Sequence, residues 1–219
     1  MSVGRIEVIE LRAMLPEVFA SEGAADSELW LKDIDFRRGC RVMIEAASGT
    51  GKSSLCSYIF GARSDYRGKL LFSGRDARSF SMNDWQELRR CHIAYLPQEL
   101  GLFPELTALE NIRLKNDLTG HCTEKEISRR LELLGIDSRS HFPVGRMSVG
   151  QQQRVALLRC LCQPFDFLLL DEPVSHLDTD NNAIAARLVE EEAERQGAGI
   201  ITTSVGNRLR LDSLMTLKL

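Results

Sequence analysis

A glycine-rich segment carries the strongest chemical character in this sequence. It reads Ala47-Ser48-Gly49-Thr50-Gly51-Lys52-Ser53-Ser54 and lies between a strand pattern and a helix pattern. Glycines let backbone N–H groups converge on one anion, and the N-terminus of the following helix adds partial positive charge. Lys52 would neutralise the β and γ phosphates of a nucleotide, and the Ser53 hydroxyl would coordinate Mg²⁺. We therefore predict a phosphate-binding loop, in which Ala46 replaces the first glycine of the usual pattern.

Two acids follow an apolar run, Phe167-Leu168-Leu169-Leu170, and form the second candidate feature. Carboxylates at the end of a buried strand are costly unless they have a role, and ligands bind at this edge of open α/β sheets. Asp171 would hold Mg²⁺ through water, and Glu172 would orient or deprotonate an attacking water. On its own, Asp-Glu could simply be a strand end. Beside a phosphate loop it predicts a hydrolytic site.

The elements that must position these residues alternate between strand and helix patterns. Such alternation predicts an α/β fold with a mostly parallel sheet, preceded by an antiparallel hairpin whose loop covers residues 16–27. Residues 99–147 contain only helical patterns and read as an insertion. Strands are predicted at 6–11, 29–36, 41–45, 69–72, 165–170, 199–203 and 214–219, and helices at 53–60, 83–91, 106–118, 124–134, 150–162 and 181–196.

The amino-acid composition excludes several classes of protein. Of 219 residues, 43% are hydrophobic and 27% charged, which fits a folded globular protein and not a disordered chain. A net charge of -3 argues against a general nucleic-acid-binding surface. No run is long and apolar enough for a membrane span or a secretory signal, so we expect an intracellular protein. The six cysteines and four histidines show no metal-ligand spacing, and we assign no zinc site.

A third motif indicates the family. Met147-Ser148-Val149-Gly150-Gln151-Gln152-Gln153-Arg154 resembles the LSGGQ(Q)QR signature of ATP-binding-cassette (ABC) ATPases. In matching order, Tyr95-Leu96-Pro97-Gln98 resembles their Q-loop, and Ser175-His176-Leu177-Asp178 resembles their D-loop. Residues 102–112 and 31–36 are similar to further family segments. The resemblance implies a P-loop NTPase core at 1–98 and 148–219, a helical subdomain at 99–147, and one cassette over 1–219.

The resemblance also implies a dimeric mechanism. Two cassettes would pack head to tail, with each ATP between the phosphate loop of one chain and the signature of the other. The signature residues Ser148, Val149, Gly150 and Gln151 would close on the opposite ATP, and Asp178 would cross the interface. Gln98 would reach Mg²⁺ and the attacking water, so the metal set is Ser53, Gln98 and Asp171, with Glu172 and Gln98 catalytic.

The implied partners are a second cassette, identical or different, and a transmembrane permease. The chain would then lie in the cytoplasm, peripherally on the cytoplasmic face of the membrane. Phe103 and Leu106 are candidate permease contacts, or alternatively members of the insertion's own core. The contacts that select the transported substrate would lie in the permease.

Three departures from the family pattern predict slow hydrolysis. Val149 replaces a signature glycine, which would cost about 1–3 kcal/mol if that position needed a positive φ or a close approach to ATP. Thr203 or Ser204 stands where the family has its switch histidine. No aromatic residue is evident for stacking on adenine; Met14 or Leu15 takes that position by alignment, and Phe19 is a possible substitute.

These departures keep a second function open. The leading hypothesis is an ATPase subunit that drives a membrane transporter or membrane-linked complex. The alternative is a regulatory module in which nucleotide-gated closure, not turnover, carries the signal. Function in cells that survives Glu172→Gln would favour the regulatory module.

Overall fold

The computed structural model describes residues 3–20, 27–45, 49–212 and 214–219. Its strands within these ranges are β1 (Val8–Pro16), β2 (Asp33–Arg37), β3 (Arg41–Glu45), β4 (Tyr66–Phe72), β5 (Arg75–Asp76), β6 (Ile93–Leu96), β7 (Phe167–Asp171), β8 (Gly199–Ser204) and β9 (Met215–Lys218). The helices are α1 (Lys52–Ile59), α2 (Met82–Glu87), α3 (Ala108–Asn116), α4 (Glu124–Leu133), α5 (Val149–Leu161) and α6 (Thr179–Gln196).

The strands form two sheets, which confirm the predicted parallel sheet and the predicted antiparallel hairpin. One is antiparallel in the order β2-β1-β4-β5, and the other is parallel in the order β6-β7-β8-β3-β9. Every residue of β7 is buried, and its side chains alternate between two cores. Leu168 and Leu170 pack with the helices α3–α6, whereas Phe167 and Leu169 pack with α1 and the antiparallel sheet. The parallel sheet is therefore covered on both faces, which explains its unbroken apolar strand.

Two strand predictions need correction. The second strand begins at Asp33 and not at residue 29, because the Ser27 hydroxyl accepts hydrogen bonds from the N–H groups of Leu29 and Trp30 and bends the chain into a turn. Leu29 and Trp30 are buried within that turn, so they mimic a strand pattern. The sequence analysis also missed β6, a four-residue strand paired in parallel with β7.

The segment 99–147 holds α3 and α4 with short 3₁₀ turns, as its sequence pattern predicted. Its helices pack on α5, and a buried carboxylate ties α4 to α6. Glu192, on α6, is 1% exposed and pairs with Arg130 of α4, with His121 before α4, and with Arg195. No helix in the described ranges is long and apolar enough to cross a bilayer. The exact boundaries of this subdomain stay a prediction.

The Glu192 cluster predicts a stability that depends on pH. Burial alone would raise the pKa of Glu192, but hydrogen bonds from His121 and Arg195 and the charge of Arg130 outweigh it and lower that pKa from 4.5 to about 2. The ionised carboxylate therefore stabilises the fold fully above pH 4.5, and this contribution is lost as the pH falls towards 2.

We expect Glu192→Gln to lower the free energy of unfolding at neutral pH by about 3 kcal/mol, because it leaves Arg130 without an ionised partner. Urea titrations between pH 2 and 7 should show a flatter pH profile than the wild type. Glu191→Gln, at an exposed neighbouring position, is the matched control. Equal pH profiles for the two variants would contradict the role given to Glu192.

Candidate functional site

The phosphate-loop prediction places Gly51 and Lys52 at the start of α1, and the structure has them there. Gly51 is the N-cap, with a φ of +96°, and α1 begins at Lys52. A Cβ atom at position 51 would come within 2.9 Å of the Phe19 ring and 3.2 Å of the Trp30 ring, so only glycine fits. The Trp30 indole donates a hydrogen bond to the carbonyl of Thr50. Ala47 and Ser48 lie outside the described residues.

A cavity of about 280 Å³ opens in front of the loop. It brings together residues that are far apart in sequence, with Gln98 and Glu172 facing the same space as the loop. Gln98 follows β6 and Glu172 follows β7, and the carboxyl ends of these neighbouring parallel strands meet at one sheet edge. The residues that line the cavity are Val18, Phe19, Gly49, Gly51, Lys52, Ser53, Ser54, Gln98 and Glu172.

Three of the loop side chains differ in their surroundings. Lys52 is buried, and this burial lowers its pKa, while the charges of Glu172 and Asp171 act in the opposite direction. The Ser54 hydroxyl accepts a hydrogen bond from Arg63, so it already has a protein partner. The Ser53 hydroxyl group belongs to an exposed residue on the cavity wall.

Asp171 ends β7 and is 1% exposed. Its Oδ1 accepts a hydrogen bond of 2.5 Å from the Thr203 hydroxyl. Its Oδ2 is buried and has no hydrogen-bond partner among the residues that the structure describes. A buried carboxylate oxygen without a donor is costly, so this atom is suited to a cation or its water shell.

Glu172 has a left-handed backbone with a φ of +52°, which is uncommon outside glycine. This conformation is held by the Thr203 hydroxyl, which accepts a hydrogen bond of 3.2 Å from the Glu172 N–H group. The turn at Glu172 takes the chain out of β7 at the cavity wall. Strain of this kind is typical of functional sites.

The two candidate switch residues lie outside the cavity lining. Thr203 is fully buried in β8 opposite Asp171, and its hydroxyl is used by Asp171 and Glu172. The Ser204 hydroxyl donates to the carbonyl of Asn207. Asn207 in turn donates its amide to the carbonyls of Val174 and Leu177. Thr203 and Ser204 thus stabilise the chain that follows β7, Thr203 directly and Ser204 through Asn207. Nothing in the sequence indicated that Asn207 makes these contacts.

The signature residues begin α5. Ser148 is the N-cap and forms a capping box with Gln151, in which each side chain bonds the other's backbone N–H group. Val149 is the first residue of the helix. Its φ is not positive, and its side chain is 50% exposed. The strain expected for a positive φ at Val149 therefore does not arise in this chain.

The D-loop candidate Asp178 is the N-cap of α6 and accepts hydrogen bonds from Asn181. The bond from the Asn181 N–H group is the main cause that lowers the pKa of Asp178. Asp178 is exposed and does not line the cavity.

The candidates for adenine contact separate clearly. Met14 and Leu15 are buried in the core, so neither offers a face to the cavity. Phe19 is half-buried on the cavity wall beside Gly51. Of the three, Phe19 alone lines the cavity.

The two threonines of β8 provide a matched prediction. Thr203→Val should lower the free energy of unfolding by about 2–3 kcal/mol, because it removes the donor to Asp171 and the acceptor for the Glu172 N–H group. Nucleotide hydrolysis should fall at least about tenfold as Glu172 loses its anchor. Thr202 is also buried, but its hydroxyl has no hydrogen-bond partner among the described residues.

Thr202→Val should therefore be neutral or stabilising, since it removes an unsatisfied hydroxyl. Denaturant titration and steady-state hydrolysis of both variants test the assignment. A Thr202→Val variant as unstable and inactive as Thr203→Val would show that shape, and not hydrogen bonding, decides the effect.

Comparison with known proteins identifies the family. A family model described as ABC transporter matches residues 32–175. The macrolide export ATP-binding/permease protein MacB of Bartonella henselae is 34% identical over 176 residues, which are 78% of this chain but 26% of MacB. The ABC transporter ATP-binding protein YtrE of Bacillus subtilis is 30% identical over 173 residues, 76% of this chain and 74% of YtrE.

A solved structure shares the fold. The dimeric structure of MJ0796, a bacterial ABC transporter cassette, has a TM-score of 0.76 to this chain and 24% identity, with 96% of this chain and 94% of that chain covered. This chain thus spans about a quarter of MacB, and most of YtrE and of the cassette. The chain therefore belongs to the ABC transporter family.

Proposed function

We propose that this chain binds and hydrolyses ATP, with Mg²⁺, to power a membrane transporter through head-to-tail dimerisation with a second cassette. One observation carries the proposal. The cavity gathers Lys52, Gln98 and Glu172 around the phosphate loop, but Ser148 does not line it within the described residues. A single chain thus presents the hydrolytic half of a site, while its signature residue is left to face another molecule. A second cassette would complete both sites.

The residues present fit the ligands of this reaction. The Oδ2 atom of Asp171 and the Ser53 hydroxyl would hold Mg²⁺, together with Gln98, and the bound metal would neutralise phosphate charge. Lys52 would bind the β and γ phosphates from the start of α1. The Glu172 carboxylate would orient the attacking water and accept its proton. The exposed N-terminus of α5, capped by Ser148, would bind the γ-phosphate of the partner's ATP.

Two finer points complete the proposal. Phe19 would cover the adenine ring from the edge of the cavity, in the role that Met14 and Leu15 cannot fill. Hydrolysis would be slow, because Thr203 and Ser204 bond to the protein itself and none of the described residues that line the cavity is a histidine. Steady-state turnover of the purified chain measures this directly.

A groove between α2 and α3 is the docking surface that we propose for the permease, at the cytoplasmic face of the membrane. Its volume is about 350 Å³, and Met82 (86% exposed) and Leu118 (56% exposed) flank it. Arg89, Arg90 and Lys115 supply positive charge, and burial lowers the pKa of Lys115. An amphipathic helix with acidic residues would match both the apolar and the cationic walls.

Phe103 and Leu106 were predicted from the sequence as permease contacts or as members of the insertion's own core, whereas the residues that line this groove were not singled out. Phe103 is 52% exposed, whereas Leu106 is half-buried. Phe103 thus stays a candidate contact. The groove could have been suspected from the exposed pattern of Met82, Gln86 and Arg90, which recur at helical spacing.

The dimer proposal is tested with Glu172→Gln, which should bind ATP but hydrolyse it at least about 100-fold more slowly. With Mg-ATP, this variant should run as a dimer in size-exclusion chromatography with light scattering, and as a monomer without nucleotide. Lys52→Ala in the same background removes the phosphate cation and is the control that should stay monomeric. A Glu172→Gln protein that binds ATP and remains monomeric at all concentrations would contradict the proposal.

The groove proposal is tested by site-specific photo-crosslinking in cells. A crosslinker at position 86 should capture a protein with several membrane spans, and Arg90→Glu should reduce the yield about tenfold by reversing one groove charge. A crosslinker at position 129, on the exposed face of α4, is the control. Capture of the same membrane protein from position 129 alone, or no loss with Arg90→Glu, would contradict docking in this groove.

A further inference from the structure

Gln153, in the second turn of α5, is a buried polar residue to which the sequence analysis gave no role. It is 2% exposed, and both ends of its side-chain amide have partners. The Nε2 atom donates to the carbonyl of Glu172 at 3.1 Å and to the Ser175 hydroxyl at 3.2 Å. The Oε1 atom accepts from the His176 N–H group at 3.0 Å. This one amide group thus forms hydrogen bonds with three residues of the segment that follows β7, namely Glu172, Ser175 and His176.

These hydrogen bonds involve the backbone of Glu172, whose conformation is also restrained by other contacts. The carbonyl that Gln153 binds belongs to Glu172, whose φ is +52° and whose N–H group is held by Thr203. The backbone of Glu172 is therefore anchored at both its N–H and its carbonyl. Because the buried amide is bonded at both ends, a movement of Glu172 relative to α5 would break these hydrogen bonds, which favours a joint movement of the two.

A second contact holds the same two elements together. Gly150 lies one turn before Gln153, and a Cβ atom there would come within 2.9 Å of the His176 carbonyl. The N-terminus of α5 therefore lies directly on the segment Glu172–His176. The hydrogen bonds of Gln153 and the close approach of Gly150 to His176 therefore hold the signature helix and the D-loop of the same chain together as one unit.

In the proposed dimer, the two ends of this unit serve different nucleotides. Glu172 faces the ATP on its own phosphate loop, whereas Ser148 and Gly150 face the ATP of the partner. We propose that Gln153 is a positioning residue that couples the two ATP sites, because it joins the backbone of the catalytic acid at one site to the helix that closes the other. This inference rests on the proposed function, since it needs a dimer with two sites.

The coupling has a kinetic consequence. When ATP binding shifts Glu172, the α5 N-terminus moves with it and changes the fit of the partner's site, which makes hydrolysis cooperative in ATP. Without the amide, each chain would still bind its own ATP through Lys52 and the phosphate loop. The loss should thus appear in kcat and in cooperativity, and not in KM.

Steady-state ATP hydrolysis of Gln153→Met tests the proposal against Gln163→Met. Gln163 is an equally buried glutamine that donates to the carbonyls of Arg89 and Ile93, far from the nucleotide cavity. Gln153→Met should lose about tenfold or more in kcat, keep KM within about twofold, and bring the Hill coefficient from near 2 to near 1. Gln163→Met should keep kcat and the Hill coefficient within about twofold of the wild type.

Equal kcat and Hill coefficients for the two variants would overturn the coupling role. A wild type with a Hill coefficient of 1 and a specific activity independent of protein concentration would instead overturn the proposed dimer, and the inference with it. Ser175→Ala covers the case in which Gln153→Met does not fold, because Ser175 is exposed and supplies one of the three bonds. That variant should lower kcat about twofold to threefold with the same loss of cooperativity, and unchanged kinetics would overturn the proposal.

Hydrogen exchange gives a readout that does not depend on turnover. In Glu172→Gln, Mg-ATP should protect residues 49–54, 172–176 and 148–153 together. With Gln153→Met added, protection at 49–54 should persist while the response at 148–153 is lost. A response at 148–153 that survives in Gln153→Met would overturn the role of this side chain.

Discussion

The burial of the Asp171 carboxylate is the constraint on which the site depends. A charged group at 1% exposure is tolerated only when the surrounding atoms compensate for the lost water. Thr203 satisfies one oxygen, and the other has no hydrogen-bond partner within the described residues. The same threonine fixes the N–H group of Glu172, so the two acids are positioned by one hydroxyl. The fold thus holds its acidic pair at the sheet edge by hydrogen bonds with Thr203 of β8.

Around this pair, the structure separates the cavity that would hold the chain's own nucleotide from the helix start that would face a second cassette in the proposed dimer. The phosphate loop, Gln98 and Glu172 share one cavity, while Ser148 begins a helix outside it. The segment that follows β7 begins with Glu172 of the cavity and is bonded to α5 through Gln153. A short stretch of backbone, and not a large interface, therefore joins the two functional surfaces.

The departures from the family pattern differ in their effect on the structure. Val149 is accommodated at a helix start with an exposed side chain, so it causes no strain within the chain. At the switch position, the hydroxyl groups of Thr203 and Ser204 are used to hold Asp171, Glu172 and Asn207. A histidine at this position could contact a ligand, whereas the hydroxyl groups of Thr203 and Ser204 form hydrogen bonds within the protein. We regard this change, and not Val149, as the physical reason to expect slow turnover.

The sequence by itself determined the phosphate loop, the acidic strand end, the signature motif and the alternation of strands and helices, because each is encoded by neighbouring residues. It did not reveal β6, a strand too short to show a pattern, or the turn at Leu29 and Trp30, where buried apolar residues imitate a strand. Only the tertiary structure decided that Phe19 and not Met14 lines the cavity, that Thr203 faces Asp171, and that Gln153 binds Glu172. These relations join residues distant in sequence, and they depend on strand register and helix packing, which no local pattern specifies.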